Sequence, residues 1–197
     1  MEKGLLIIIS GPSGVGKGTI RQEVMKDPTL NLWYSVSLTT RNQRPGEVNG
    51  REYYFVSEKE FEDNLDRGNL LEHATFVGHH YGTPLDKMVE KRNEGKNVIL
   101  EIEVNGTLQV LEKLKGEDIV SIFLMPPSFK DLEARIRGRS TEGEQAIEER
   151  LAKAKREMGM SKHYGYVVTN DNVARATAEI QGIIRKEIEI AHSTLTK

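Results

Sequence analysis

The sequence of 197 residues contains no cysteine, which excludes disulfide bonds, thiolate catalysis and zinc sites built on thiolates. It also lacks long hydrophobic runs: the longest purely apolar stretch, residues 5–9, is far too short to span a bilayer. No small-residue cleavage site follows that stretch, as a signal peptide would require. The 28 basic and 30 acidic residues give a net charge of −2, so a nucleic-acid-binding surface over the whole molecule is excluded. We expect a soluble cytoplasmic protein without nucleic-acid or membrane partners.

Short apolar runs alternate with helical segments along most of the chain. Buried strands are predicted at residues 5–10, 98–104, 119–124 and 166–169, and a last helix at 173–190. This alternation is typical of a parallel sheet covered by helices on both faces. The sequence therefore predicts an α/β fold built on one core.

Two stretches interrupt the alternation. Residues 33–81 contain short aromatic and β-branched runs, which predict a small mixed or antiparallel insertion. Within it, Ser57 and Glu60 form a capping-box pattern that predicts a helix. Residues 135–149 are charged, contain two glycines and have few apolar side chains. They predict a loosely packed excursion between core elements.

Residues 11–17 match the G-x-x-x-x-G-K pattern of a phosphate-binding loop, placed between a predicted strand and a predicted helix. The glycines let backbone N–H groups converge on phosphate oxygens, the helix dipole favours anions, and Lys17 adds a point charge. The alternative is a glycine-rich turn with a solvated lysine. Gly18 stands where Ser or Thr usually meets Mg²⁺, which leaves the metal ligand open. The candidate contacts of the nucleotide are Gly11, Pro12, Ser13, Gly14, Val15, Gly16, Lys17, Gly18 and Thr19.

Glu101 and Glu103 share one face near the carboxyl end of an otherwise apolar predicted strand. Ligands bind at this end of the strands in parallel sheets, and carboxylates suit a ribose or the water ligands of Mg²⁺. The alternative is a strand that emerges into solvent.

Arg41 and Arg44 lie three residues apart in a loop rich in Thr, Asn and Pro, and Tyr53 and Tyr81 offer further hydroxyl donors. Guanidinium groups together with phenols suit a dianionic monophosphate. A solvated loop with two basic side chains is the alternative.

Over nearly its whole length the sequence resembles the guanylate kinases, P-loop nucleoside monophosphate kinases that move the γ-phosphoryl group of ATP to GMP. The most specific block is Ser-Val-Ser-x-Thr-Thr-Arg-x-x-Arg-x-x-Glu-x-x-Gly-x-x-Tyr, because phosphate loops occur in many other enzymes. The matching segments are GPSGVGKGT, SVSLTTRNQRPGEVNGREYYF, LLEHATFVGHHYGT, VILEIEVNG, RGRSTEGEQAIEERL and VVTND.

The resemblance implies an acceptor site for GMP and dGMP. Guanine presents donors at N1 and N2 and an acceptor at O6, so a carboxylate and a hydroxyl can read that edge, whereas adenine offers an acceptor at N1. Glu72 and Ser37 are the implied readers, with Thr83 near the base. The implied GMP contacts are Ser37, Arg41, Arg44, Tyr53, Glu72, Tyr81, Thr83, Glu101 and Glu103.

The resemblance also implies a lid whose arginines converge on the transferring phosphoryl group. Asn170 falls on the nucleotide side, and Mg²⁺ is expected through phosphates and water near Glu101 and Glu103. The implied catalytic residues are Lys17, Arg41, Arg135, Arg139 and Arg150. The expected single domain comprises a core (1–33, 84–127, 160–197), a GMP-binding insertion (34–83) and a lid (128–159).

Two other functions are consistent with the same fold. Guanylate-kinase-like domains also serve as phosphopeptide-binding modules, although here the phosphate loop is intact. A kinase with another nucleoside or sugar phosphate as its acceptor is the second alternative. Titration with ATP separates the binding module, which should show no affinity for ATP. A panel of acceptors decides the second alternative, because Ser37 and Glu72 predict that GMP and dGMP are accepted and AMP is rejected.

Overall fold

The computed structural model describes residues 3–76, 78–139 and 143–194. Five strands form a parallel sheet and four form a second sheet, which confirms the predicted α/β class. Among the described helices, none is both long and apolar enough to cross a membrane. In chain order the elements are β1 (Leu6–Ser10), α1 (Lys17–Val24), β2 (Leu32–Tyr34), β3 (Leu38–Thr39), β4 (Tyr54–Phe55), α2 (Glu58–Asp66), β5 (Leu70–Phe76), β6 (His79–Pro84), α3 (Leu85–Asn93), β7 (Asn97–Glu101), α4 (Val104–Lys113), β8 (Ile119–Met125), α5 (Phe129–Arg139), α6 (Glu144–Met158), β9 (Tyr166–Thr169) and α7 (Val173–Thr194).

The parallel sheet, in the order β2-β7-β1-β8-β9, is covered on both faces. Along β1, Leu6 and Ile8 face a cluster that includes side chains of α3 and α4. Ile7 and Ile9 face the opposite cluster, to which α1, α5, α6 and α7 contribute. A strand buried on both faces must be apolar at every position, which explains the continuous run that the sequence shows.

The register of this sheet brings the carboxyl ends of β1 and β7 side by side. Ile9 of β1 pairs with Glu101 of β7, and Ser10 pairs with Phe123 of β8. Glu101 therefore lies beside the point where the chain leaves β1 and enters the glycine-rich loop. This edge of the sheet is where parallel α/β folds place their ligands.

The second sheet has the order β4-β3-β6-β5, with β3 and β4 parallel and β6 antiparallel to both of its neighbours. It agrees with the predicted mixed insertion and has a small core of its own around Phe61. The predicted capping box is confirmed: the Ser57 hydroxyl accepts from the Glu60 amide, and the Glu60 carboxylate accepts from the Ser57 amide at 2.8 Å.

Two predicted boundaries differ from the structure. The run that begins at Trp33 was expected in the insertion, but β2 pairs in parallel with β7 at the edge of the main sheet, because Trp33 and Tyr34 pack against its two opposite clusters. The strand predicted to reach residue 104 ends at Glu101, and α4 begins at Val104. Val104, Thr107 and Val110 are buried at intervals of three residues, which is the spacing of one helix face.

The expectation that residues 135–149 pack loosely is wrong for the two isoleucines of this stretch. Ile136 is 1% exposed and Ile147 is 7% exposed, and both join the main cluster. They pack beside Leu132 of α5 and Leu151 and Ala154 of α6, because the apolar positions of each helix recur on one face. The two helices are therefore anchored to the core on the side of the phosphate loop.

Candidate active site

The glycine-rich loop connects β1 to α1 in the conformation that anion binding requires. Gly11, Gly14 and Gly16 have φ values of 146°, 84° and 101°, a region that side chains disfavour. Gly16 is the N-cap of α1, and its position is not capped by a side chain. The amide groups of the first turn thus remain directed toward the loop, where they can bind phosphate oxygens.

Lys17 is held by the loop itself. Its Nζ donates to the carbonyl oxygens of Gly11 at 2.8 Å and Pro12 at 3.2 Å. Burial lowers the pKa of Lys17, and the nearby carboxylates of Glu101 and Glu103 raise it in turn. An ammonium group in this position faces a cavity of about 340 Å³ that is lined by Ser13, Gly14, Gly16, Lys17, Gly18, Thr19, Tyr53, Glu101, Ile102 and Glu103.

Asn170 and Arg135 support the phosphate loop from outside. The buried Asn170 amide donates to the Val15 carbonyl at 2.8 Å. Arg135 donates to the same carbonyl at 3.3 Å and to the Asn170 carbonyl at 3.2 Å. A Cβ at Gly16 would lie 2.8 Å from Asn170 Nδ2, so a glycine is needed there for this close approach. Asn170, predicted on the nucleotide side, and Arg135, predicted in the lid, therefore both contact the loop.

A further arginine that the sequence placed in the lid also reaches this loop. The Arg150 guanidinium on α6 lies 3.4 Å from the Ser13 hydroxyl. Arg139 is the last residue of α5, and its side chain lies outside the described residues. Arg135 and Arg150 thus approach the phosphate loop from two different helices.

A second cavity, of about 370 Å³, opens between the two sheets. At one side of it, Arg41 pairs with Glu47 at 2.8 Å and lies over the Tyr53 ring, 5.5 Å from the ring centroid. Tyr53 and Tyr81 pack edge to face. The residues that line the cavity are Ser37, Arg41, Arg44, Glu47, Tyr53, Glu72, Ala74, Phe76, Tyr81, Glu101, Ile102 and Glu103.

Glu72 is the buried acid of this cavity, with 6% of its surface exposed. The Thr83 hydroxyl donates to Glu72 Oε1 at 2.7 Å. Burial raises the pKa of Glu72 to about 7, although the hydrogen bond from Thr83 lowers it. Thr83 thus lies behind Glu72 and is not one of the lining residues, whereas Ser37 lines the cavity directly.

The absence of a side chain at Gly106 leaves room for the Glu72 carboxylate. A Cβ at Gly106 would lie 2.4 Å from Glu72 Oε2 and 3.0 Å from Glu72 Cδ. Gly106 is in the first turn of α4, so the carboxylate also lies against the positive end of a helix. The sequence analysis assigned no role to this glycine, although it closes the quoted segment VILEIEVNG.

The two cavities share a wall formed by Tyr53, Glu101, Ile102 and Glu103. Glu101 accepts from Arg21 at 3.1 Å, and Glu103 accepts from Lys153 at 2.8 Å. A ligand in either cavity therefore approaches the same two carboxylates. The sequence predicted that the two glutamates share one face of a strand, but β7 ends at Glu101, and Glu103 is the N-cap of α4.

Several residues that hold the site together were not predicted from the sequence. Glu47 accepts from the Arg44 amide at 2.8 Å in addition to its pair with Arg41, and it was visible as the glutamate of the family signature. Arg21 and Lys153 have no such signal, because they lie 80 and 50 residues away from their partners.

Among the described residues, no group of three or more His, Cys, Asp or Glu side chains could hold a metal ion. The cavity at the phosphate loop instead offers the oxygens of Glu101, Glu103 and the Thr19 hydroxyl along its wall. Gly18 stands where a Ser or Thr hydroxyl usually contacts Mg²⁺. A Cβ at Gly18 would lie 3.5 Å from Glu101 Oε1, so the Glu101 carboxylate lies close to the position of that hydroxyl. This donor set fits an Mg²⁺ ion that keeps water and phosphate ligands.

Comparison with known proteins identifies the family. The guanylate kinase family model matches residues 3–187. The chain belongs to the guanylate kinase family. A guanylate kinase from Mesoplasma florum is 52% identical over 186 residues, which cover 94% of this chain and 62% of that relative. One from Lactiplantibacillus plantarum is 50% identical, with 94% and 89% covered.

Solved structures agree with this family assignment. The crystal structure of a guanylate kinase from Anaplasma phagocytophilum matches with a TM-score of 0.77 and 31% identity, over 94% of this chain and 87% of that one. The chain spans less than two thirds of the Mesoplasma florum relative, but most of the Lactiplantibacillus plantarum one. The family model, at residues 3–187, includes both sheets and the residues that line both cavities.

Proposed function

We propose that this protein transfers the γ-phosphoryl group of ATP to GMP, or to dGMP, and releases ADP and GDP or dGDP. The observation that carries the proposal is the pair of cavities with a shared wall: one is built on a phosphate loop, and the other combines guanidinium groups with a buried carboxyl group. The membership of the guanylate kinase family and the named relatives at about 50% identity support the same reaction.

ATP is the donor and binds in the cavity at the phosphate loop. Its phosphates replace the carbonyl oxygens of Gly11 and Pro12 as the partners of Lys17, and the amides of the loop and of the first turn of α1 bind the remaining oxygens. Arg135 and Arg150, which already contact this loop, add positive charge near the transferring group. Arg139 is assigned the same role on family resemblance alone.

GMP is the acceptor and binds in the larger cavity. Arg41, Arg44, Tyr53 and Tyr81 hold its phosphate, because fork-shaped guanidiniums and phenols match a dianion. The phosphate then lies toward the shared wall, where an in-line attack on the γ-phosphorus needs no covalent intermediate. The protein supplies position and charge and makes no bond to the phosphoryl group.

Glu72 and Ser37 select guanine. An ionised Glu72 accepts from guanine N1–H and N2–H, and the Ser37 hydroxyl meets O6. Adenine would leave this buried carboxyl group without donors, and sites of this kind reject such analogues by about 10⁴ to 10⁵. Because none of these contacts involves the 2′-hydroxyl, dGMP is accepted as well.

Mg²⁺ accompanies ATP. When bound, it neutralises charge on the phosphate oxygens, and Glu101 and Glu103 hold its water shell from the shared wall. The reaction belongs to guanine nucleotide metabolism, and we place the protein in the cytoplasm.

A coupled assay of ADP release tests the proposal with GMP, dGMP, AMP and a phosphorylated sugar as acceptors. We expect turnover with the two guanine nucleotides only. Lys17→Met is expected to abolish turnover while the protein stays folded, and Glu72→Gln to weaken GMP binding far more than ATP binding. Folded protein that binds ATP but releases no ADP in response to GMP, with Mg²⁺ present, would overturn the proposal. Binding of phosphopeptides without ATP affinity would indicate the scaffold function instead.

A further inference from the structure

Lys153 on α6 connects three parts of the molecule, and the reaction as proposed leaves it without a role. Its Nζ lies 2.8 Å from Glu103 Oε2 and 3.7 Å from Glu157 Oε1. The same ammonium group is 4.6 Å from the centroid of the Phe76 ring, at the end of β5. One side chain thus joins α6 to the loop after β7 and to the second sheet.

These contacts place Lys153 directly behind the shared wall. Glu103 lines both cavities, and Phe76 lines the larger one. Glu103 follows β7 as the N-cap of α4 but makes no side-chain cap, so the carboxylate is not fixed by its own helix. The ion pair with Lys153 is the contact that directs this carboxylate.

The ion pair between Lys153 and Glu103 matters because it balances a negative charge in the shared wall. The negative charges of Glu101, Glu103 and Glu157 each raise the pKa of Lys17. Glu101 is balanced by Arg21, and Glu103 by Lys153. Two substrates with several negative charges would meet at this wall, so an unbalanced carboxylate there would repel both of them.

We propose that Lys153 is a positioning residue for phosphoryl transfer: it holds the Glu103 carboxylate in the wall shared by the two cavities and balances its charge. The inference rests on the proposed function, since it assumes that phosphates approach this wall from both sides. The fold does not depend on the lysine, because Ile147, Leu151 and Ala154 already bury α6 in the core. Replacing Lys153 therefore changes the site and leaves the packing in place.

The test is a double-mutant cycle with Lys153→Gln and Glu103→Gln, together with Lys153→Arg. GMP affinity is measured by calorimetry on the protein without ATP, and KM and kcat by the coupled assay. Lys155→Gln is the matched control, because Lys155 is an exposed lysine on the same helix. We expect Lys153→Gln to weaken GMP binding and raise the KM for GMP by about three- to fivefold, because a partly exposed ion pair contributes at most about 1 kcal/mol.

Three further results are expected. Lys153→Arg restores GMP affinity, Lys155→Gln leaves it unchanged, and Lys153→Gln has less than about a twofold effect when Glu103→Gln is already present. An unchanged GMP affinity in Lys153→Gln, or an equal loss in the Glu103→Gln background, overturns the inference. Neither result affects the proposed function, which is decided by GMP turnover of the unaltered protein.

Discussion

Replacing Gly106 by alanine is a sharp test of how the acceptor base is read. The alanine Cβ would lie 2.4 Å from Glu72 Oε2, whereas an unstrained contact needs about 3.5 Å. The carboxylate must therefore retreat by about 1 Å, and it is too deeply buried to turn into solvent. A shift of this size stretches the 2.7 Å hydrogen bond from Thr83 beyond the usual range and misplaces the acceptor for guanine.

The magnitude follows from the hydrogen bonds at stake. Two bonds from guanine to an ionised carboxylate are worth about 1.5–3 kcal/mol each. Taking a combined loss of about 3 kcal/mol, we expect kcat/KM for GMP to fall about 100-fold in Gly106→Ala. The KM for ATP is expected to stay unchanged, because Gly106 does not line the cavity at the phosphate loop.

Stability separates this effect from a general loss of structure. Gly106 has a helical backbone without a positive φ, and alanine in a helix interior is about 0.5–1 kcal/mol more favourable than glycine. This gain offsets part of the cost of weakening the hydrogen bond between Thr83 and Glu72, about 1–3 kcal/mol, so the free energy of unfolding is expected to fall by no more than about 2.5 kcal/mol. Gly182→Ala in α7 is the matched control, because no atom lies within 4 Å of its Cβ, and it should leave the kinetics unchanged.

The assay compares kcat/KM for GMP and AMP, KM for ATP and the melting temperature of the two glycine variants. If Gly106→Ala retains kcat/KM for GMP within about threefold while it remains folded, the reasoning is refuted. Glu72 would then either tolerate the contact or not read the base. An equal loss in Gly182→Ala would likewise contradict the local explanation.

Three further predictions concern the carboxyl groups of the larger cavity. Because the pKa of Glu72 is about 7 and GMP binds the ionised carboxylate, GMP binding at pH 7 should release about half a proton. Calorimetry in buffers of different ionisation enthalpy measures this release, and Glu72→Gln should abolish it. Between pH 4.5 and 7 the folded chain keeps the proton of Glu72, whereas the unfolded chain has lost it. Glu72 therefore lowers the free energy of unfolding progressively as the pH rises through this range. The melting temperature of Glu72→Gln should exceed that of the original protein at pH 8, and by much less at pH 5. Glu47→Gln, which weakens the pair with Arg41 and the hydrogen bond from the Arg44 amide, should raise the KM for GMP about tenfold and leave the KM for ATP unchanged; an unchanged KM for GMP in steady-state kinetics would contradict this role.

The parts of the fold that the sequence predicts are those set by local patterns. The apolar run of β1, the positive-φ glycines of the phosphate loop and the capping box at Ser57 each follow from neighbouring residues. The errors arise where packing decides. Ile136 and Ile147 are isolated in a charged stretch, and they anchor it because they pack beside Leu132 and Leu151 in the adjacent core.

The candidate site divides in the same way. The phosphate loop and the spacing of Glu101 and Glu103 are visible in the sequence, as are the residues of the signature block. Arg21 and Lys153 are invisible, since a surface arginine or lysine many residues away gives no sign of its partner. The role of Gly106 is equally hidden, because the atom that excludes a side chain there belongs to β5.

The four glutamates of the larger cavity differ in the partners of their carboxylates. Under the proposed function, this difference explains why Glu72, and not one of the other three, reads the base. Three of them form an ion pair with an arginine or lysine, which holds their carboxylates in place. Within the described residues Glu72 is instead paired with a hydroxyl and a helix turn, so it carries an uncompensated charge when ionised. A ligand that presents hydrogen-bond donors, such as guanine, removes that penalty, whereas a ligand that presents an acceptor, such as adenine, adds to it. The respective partners are Arg41 for Glu47, Arg21 for Glu101, Lys153 for Glu103 and Thr83 for Glu72.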